Sequence, residues 1–254
     1  MNSILEVVLN KFTFYPHNKI MRPINELPKF VSERWITTHD GESLQSFYFK
    51  HPKDNKNLII YFHGNTGNLF SHHRFEHAEQ LYNMGVNVLL VSYRGYCKST
   101  GKPNEQGIYN DGEAALNYAH KTLGYTDKDI YIFGRSLGTT VATHISQNRK
   151  FKGVVLITPL TSAKDMGVEM GFKYFSFFAR GAFNSLKKIK NLKSKLLILH
   201  GTKDSQIPFK MGEKILNRYK GQKELVKIEN AGHNNLQLVD PKLFWGKINT
   251  FIQD

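Results

Sequence analysis

A single cysteine, Cys97, stands among 254 residues, so no internal disulfide can form and the fold rests on its core. A reducing compartment such as the cytoplasm is compatible with that. Long apolar runs are also missing. The first nine residues hold a short one, interrupted by Glu6 and without a basic start. It is too short to span a bilayer and unlike a signal peptide. An amphipathic turn lying there on the domain or on a membrane stays open. Acidic residues are few beside basic ones: 21 Asp and Glu against 35 Lys and Arg, a formal net charge of +14. Such a balance favours anionic surfaces, yet no nucleic-acid recognition motif accompanies it. The lysines are dispersed except for Lys187, Lys188, Lys190, Lys193 and Lys195. Nucleic acid is therefore not expected as a partner, whereas peripheral membrane contact is left open. Internal repeats and low-complexity segments are absent.

The 40% hydrophobic content suffices to bury the core of one α/β domain. Residues 1–30 read as an arm broken by Pro16, Pro23 and Pro28. The domain proper spans 31–254. It opens with a hairpin, Arg34 to Thr38 and Ser43 to Phe49, around an Asp40-Gly41 turn. Apolar strands then alternate with helical patterns. The strands are Leu58 to Phe62, Val86 to Val91, Ile130 to Phe133, Gly153 to Ile157, Lys195 to Leu199 and Glu224 to Glu229. This order predicts a mostly parallel central sheet with an N-terminal hairpin and helices on both faces. In such sheets, sites lie at the carboxyl ends of the strands.

The stretch that organises the rest is Ile130 to Phe133 running into Gly134-Arg135-Ser136-Leu137-Gly138. Strand, sharp turn and helix put a serine at a strained bend. Residues two before and two after must be small there, and both are glycine. The geometry exposes the hydroxyl at the strand end as a candidate nucleophile. The bland alternative is a glycine-lined turn whose serine caps the helix.

Three more strand ends carry chemistry. Leu58 to Phe62 leads into His63-Gly64-Asn65, a loop whose backbone N–H groups can turn inward as an oxyanion hole. Lys195 to Leu199 leads into His200-Gly201-Thr202-Lys203-Asp204, delivering a carboxylate, and Glu224 to Glu229 leads into Gly232-His233-Asn234, delivering a base. The chain order Ser136, Asp204, His233 is that of one family of catalytic triads.

These stretches, together with Ser92-Tyr93-Arg94-Gly95-Tyr96 and Thr158-Pro159-Leu160-Thr161-Ser162, resemble the α/β-hydrolases. In particular they resemble the small His-Gly-Asn serine hydrolases, a group with esterase-like proteins and protein depalmitoylases. The resemblance runs from about residue 58 to residue 235. It implies an α/β-hydrolase fold, Ser136 as nucleophile, His233 as base, Asp204 as orienting acid, and oxyanion donors at the N–H groups of Leu137 and Asn65. It also marks two departures: glycine is usual where Cys97 stands, and many similar chains begin with an acylated or hydrophobic anchor.

Other signals compete. His73-Arg74-Phe75-Glu76-His77 fits H-x-x-E-H, but no third ligand is placed by pattern, so no metal is expected. Gly95 to Gly101-Lys102 fails as a phosphate loop because Pro103 stands where Ser or Thr is needed. His63 reads as structural, His144 as a core or surface histidine, and Cys97 as an incidental thiol.

Between Ser162 and Lys195 the core accepts a short helical lid, 163–194, with Met166, Met170, Tyr174 and Phe178 at helical spacing. These residues are candidates for a wall against an acyl chain; core filling and a membrane-docking face are the alternatives. The function expected is a serine hydrolase that cleaves a carboxylic ester or thioester without a cofactor. Its substrate would be a small molecule or an acylated protein with an apolar acyl group. A peptidase, a lactone hydrolase and a catalytically idle binding module are the other readings. Nothing in the sequence fixes the oligomeric state.

Overall fold

A computed structural model describes residues 3–17, 24–52, 56–71, 73–172, 176, 179 and 181–254. It resolves into two compact units, Met1–Tyr131 and Ile132–Asp254.

The first unit begins with helix α1 (Ser3–Thr13) and strand β1 (Tyr15–Pro16). The arm thus opens with a helix that ends before Pro16, whose ring cannot continue one. The hairpin follows as β2 (Val31–Thr37) and β3 (Ser43–Phe49), antiparallel, with Thr37 opposite Ser43. Gly41 turns the chain at φ 89°, a left-handed value that a side chain would oppose. Strands β4 (Leu58–Phe62) and β6 (Asn87–Val91) are parallel and buried along their whole length. That is why β4, and β6 from Val88 on, read as unbroken apolar runs rather than alternating ones. The ladder order in this unit is β4-β6-β3-β2. Between β4 and β6 lie β5 (Thr66–Gly67) and helix α2 (Arg74–Asn83), and after β6 comes α3 (Glu105–Lys121). The Asn104 side chain caps α3 by accepting from Gly107 N at 2.7 Å. Strand β5 pairs in parallel with β1, Tyr15 opposite Thr66. Behind β6, Asp111 accepts from Arg94 Nε at 2.8 Å and Asp40 accepts from Arg94 Nη1 at 2.8 Å.

The second unit carries β7 (Ile130–Arg135), α4 (Gly138–Ile145), β8 (Gly153–Ile157), β9 (Leu196–Gly201) and β10 (Lys223–Ile228). Its ladder order is β10-β9-β8-β7, with β8–β9 and β9–β10 parallel. Short helices α5 (Ala163–Glu169) and α6 (Ser185–Ile189) stand between β8 and β9. Helix α7 (Phe209–Arg218) precedes β10, and α8 (Leu236–Val239) and α9 (Pro241–Gln253) close the chain. The expected alternation of helices with a mostly parallel strand set after an antiparallel hairpin is the architecture found. In the lid segment, where Met166 and Met170 stand at helical spacing, α5 stops after Glu169, and Gly171 takes φ 85°. Gly171 N donates to Val168 O and Phe172 N to Gly167 O, the paired closure that glycine permits at a helix end.

Candidate active site

Strand β7 ends in a bend that places Ser136 at φ 53°, left-handed for a residue with a side chain. Its backbone N–H donates to Ile157 O at 2.9 Å, so the end of β8 helps hold the bend. The glycine two residues before Ser136 has a steric reason. A Cβ on Gly134 would meet the carbonyl carbon of Gly138 at 2.7 Å and the Ala142 Cβ at 2.8 Å. The strand and the start of α4 therefore approach more closely than any larger residue permits. The Leu137 N–H makes no hydrogen bond among the described residues and opens the N-terminus of α4. A free N–H at that point can receive a developing oxyanion.

Asp204 follows β9, and its side chain is fully buried. Its Oδ1 accepts from the N–H groups of Gln206 and Ile207 at 2.9 and 2.8 Å. Its Oδ2 accepts from His233 Nδ1 at 2.8 Å. Burial pushes the carboxyl up, but the hydrogen bonds from His200 and His233, the nearby His233 and the Ile207 N–H outweigh it. The carboxyl is held well below the usual carboxylate range and stays ionised. A carboxylate can only accept, so His233 Nδ1 carries a proton, and Nε2 is the nitrogen left to accept one. That Nε2 lies 3.0 Å from Ser136 Oγ. The histidine loop is shaped by Gly232 N donating to Asn235 Oδ1 at 2.7 Å and by Arg135 Nη2 donating to His233 O at 3.3 Å. The structure thus brings Ser136, His233 and Asp204 into one hydrogen-bonded chain.

One participant has no sequence signature as such. His200, wholly buried at the end of β9, donates from Nε2 to Ile207 O at 2.8 Å and stands 3.4 Å from Asp204 Oδ2. The His200-Gly201 pair is visible in the sequence, but nothing there ties the imidazole to Asp204. Gly201 is needed in the same place, because a Cβ would collide with the carbonyl of Ala231 in the histidine loop.

In the first unit, Asn65 sits between β4 and β5. Its Nδ2 donates to Thr13 O at 2.9 Å, its carbonyl accepts from Tyr15 N at 3.0 Å, and its own N–H has no acceptor among the described residues. The neighbouring His63 is buried, and Tyr93 donates to its carbonyl at 3.0 Å. Burial, with Arg74 adding, keeps its imidazole well below the ordinary histidine range, so it is neutral and donates from Nδ1 to Gly64 O. That is a scaffolding role.

Of the lid candidates, Met166 is half-buried on α5, and Met170 is 61% exposed, which is not the burial of a pocket wall. Tyr174 and Phe178 lie outside the described residues. On α2, His77 is buried with Nδ1 3.5 Å from the Tyr61 hydroxyl, while His73 is exposed. No group of three or more His, Cys, Asp or Glu side chains gathers as a metal set among the described residues. No helix among them is long and apolar enough to cross a membrane.

Comparison with known proteins bears on the family and the fold. Residues 57–186 match the family model of the alpha/beta hydrolase fold. The human alpha/beta hydrolase domain-containing protein 17B is 29% identical over 201 residues, 79% of this chain and 68% of its own. An uncharacterized protein of Mycobacterium tuberculosis is 29% identical over 221 residues, 86% of this chain and 78% of its own. Among solved structures, an esterase of Pyrococcus furiosus superposes with a TM-score of 0.79 at 21% identity, over 95% of this chain and 97% of its own, a likeness of fold. With the family model covering more than half of its 254 residues, the chain belongs to the α/β-hydrolase family.

Proposed function

We propose that the protein is a serine hydrolase that cleaves carboxylic esters or thioesters through an acyl-enzyme. The observation that carries the reading is the unbroken relay from Asp204 Oδ2 through His233 to Ser136 Oγ, at 2.8 and 3.0 Å. In the first step Ser136 Oγ bonds to the acyl carbon while its proton passes to His233 Nε2. The carbonyl π pair moves onto oxygen, where the Leu137 N–H stabilises it. Asn65 is assigned the second donor on its His63-Gly64-Asn65 pattern. Collapse breaks the bond to the leaving alcohol or thiol, which takes the proton from His233. Water then repeats the sequence on the acyl-enzyme, releasing the acid and restoring Ser136. Asp204 remains ionised throughout and fixes the His233 tautomer.

The acyl group is proposed to be apolar, with Met166 as its contact on α5. A fluorophosphonate probe tests the nucleophile: the wild type is labelled and hydrolyses p-nitrophenyl esters, whereas Ser136→Ala does neither and melts at about the same temperature. Hydrolysis surviving in Ser136→Ala rejects the assignment. An ester series from acetyl to decanoyl tests the acyl group. Each accommodated CH₂ is expected to add up to ~0.8 kcal/mol, and a flat series rejects an apolar pocket.

A further inference from the structure

The lid segment holds a feature that acyl transfer does not use. A cavity of about 750 Å³ is bordered by α5, α6 and α7, and none of Ser136, Asp204 or His233 lines it. Five cationic side chains do: Lys164, Lys187, Lys190, Lys214 and Arg218. The lining has a single carboxylate, Asp165, which accepts a hydrogen bond from Thr161 Oγ1 at 2.6 Å. Among the described residues, none of the five cations has an acidic partner within ion-pair distance. Like charges around one concavity repel, and an anion entering it relieves the repulsion.

Further along α5 the surface turns apolar. Val168, Met170 and Phe172 are 40%, 61% and 55% exposed. At about 1.5 Å per residue, Met170 lies roughly 9 Å along the helix axis from Lys164. The paired closure at Gly171 fixes the backbone that presents Phe172. The charged residue among them, Glu169, pairs with Lys210 of α7 at 2.8 Å. Exposed Met, Val and Phe beside unpaired lysines form the two-part pattern that interfacial segments present to charged lipid.

We propose that this face docks on an anionic phospholipid bilayer. Val168, Met170 and Phe172 enter the acyl boundary, and the five cations take headgroup phosphates at and around the cavity. A soluble phosphate-bearing ligand would use the cations alone and leave the adjoining apolar side chains without a role. The chain's net charge of +14 steers it toward the same surfaces.

Co-sedimentation of the full chain with vesicles tests this. Phosphatidylcholine vesicles carrying about a third phosphatidylserine should bind the protein, and pure phosphatidylcholine should not. Lys187→Gln with Lys190→Gln should weaken binding about fivefold per residue, and Phe172→Ser about tenfold. Lys121→Gln with Lys128→Gln removes the same charge from the first unit and should leave binding intact. Circular dichroism and p-nitrophenyl acetate hydrolysis by the Lys187/Lys190 variant should match wild type, excluding misfolding. Equal binding to neutral vesicles, equal losses in both lysine pairs, or no vesicle binding overturns the proposal. Inorganic phosphate protecting Lys187 and Lys190 from acylating reagent, with vesicles unbound, would assign the cavity to a soluble anion instead. Binding to an acidic protein without vesicle binding would also reject the bilayer.

Discussion

A Cβ added to Gly134 would stand 2.5 Å from the carbonyl oxygen of Gly138. The strand before Ser136 and the helix after it meet with no room for one methyl group. Gly134→Ala must therefore move backbone, not a flexible side chain. We expect a loss of about 1–3 kcal/mol of stability from overpacking. Displacing the serine by about 1 Å should also cost on the order of 100-fold in kcat/KM. Urea melts and ester hydrolysis check both numbers; a variant of unchanged activity would mean the bend tolerates a wider approach.

His200 is expected to act as a positioning residue through Asp204. His200→Ala removes the donor to Ile207 O and the contact to Asp204 Oδ2. Hydrogen bonds involving charged groups contribute about 1.5–3 kcal/mol, so kcat should fall about tenfold or more, with KM little changed. His200→Gln, which keeps an N–H donor, should recover part of the loss. A fall in stability with kcat untouched would make the residue merely structural.

The depressed Asp204 carboxyl has a pH consequence of definite sign. Its unfolded value is about 3.9 and its folded value lies lower, so between the two the unfolded chain binds more protons. Its contribution is complete above the unfolded value and is lost as pH falls toward the folded one. Urea midpoints measured from pH 7 to pH 3 should therefore drop less steeply in Asp204→Asn than in wild type. Parallel curves would show that the carboxyl is not held down by the fold.

The proposed triad is legible in the sequence because its members follow strands: Phe133 before the serine bend and Leu199 before Asp204 belong to buried apolar runs, while Ile228 before His233 ends a half-exposed strand. Strands buried on both faces show as unbroken hydrophobic runs, and their ends are marked by glycine. Pairing without a local pattern is not legible. The two-residue ladder of Tyr15–Pro16 with Thr66–Gly67 joins segments far apart in the chain. The approach of His200 to Asp204 depends on how the turn after β9 folds back. Where α5 stops is not legible either, because the spacing of the Met and Phe residues reads on through Gly167 and Gly171, whereas the φ of 85° at Gly171 ends that helix.

Cys97 supplies a test of backbone strain. It is buried, has φ 54°, and its Sγ accepts from Leu69 N at 3.3 Å. A side chain in the left-handed region costs about 1–2 kcal/mol that glycine avoids. Cys97→Gly should therefore be more stable than Cys97→Ala, which keeps the strain and loses the sulfur. Thermal melts of the pair decide it, and the reverse order would mean that buried volume outweighs conformation here.

The pairing of Tyr15 with Thr66, and the bond from Asn65 to Thr13, bear on how the protein is handled at the bench. An affinity tag fused ahead of α1 pulls on the segment that braces Asn65, the proposed second oxyanion donor. Preparations of identical fold could then differ in turnover through their leader alone. Asp254, exposed at the end of α9, is the safer point of attachment. Activities from differently tagged samples become comparable only after the leader is removed cleanly.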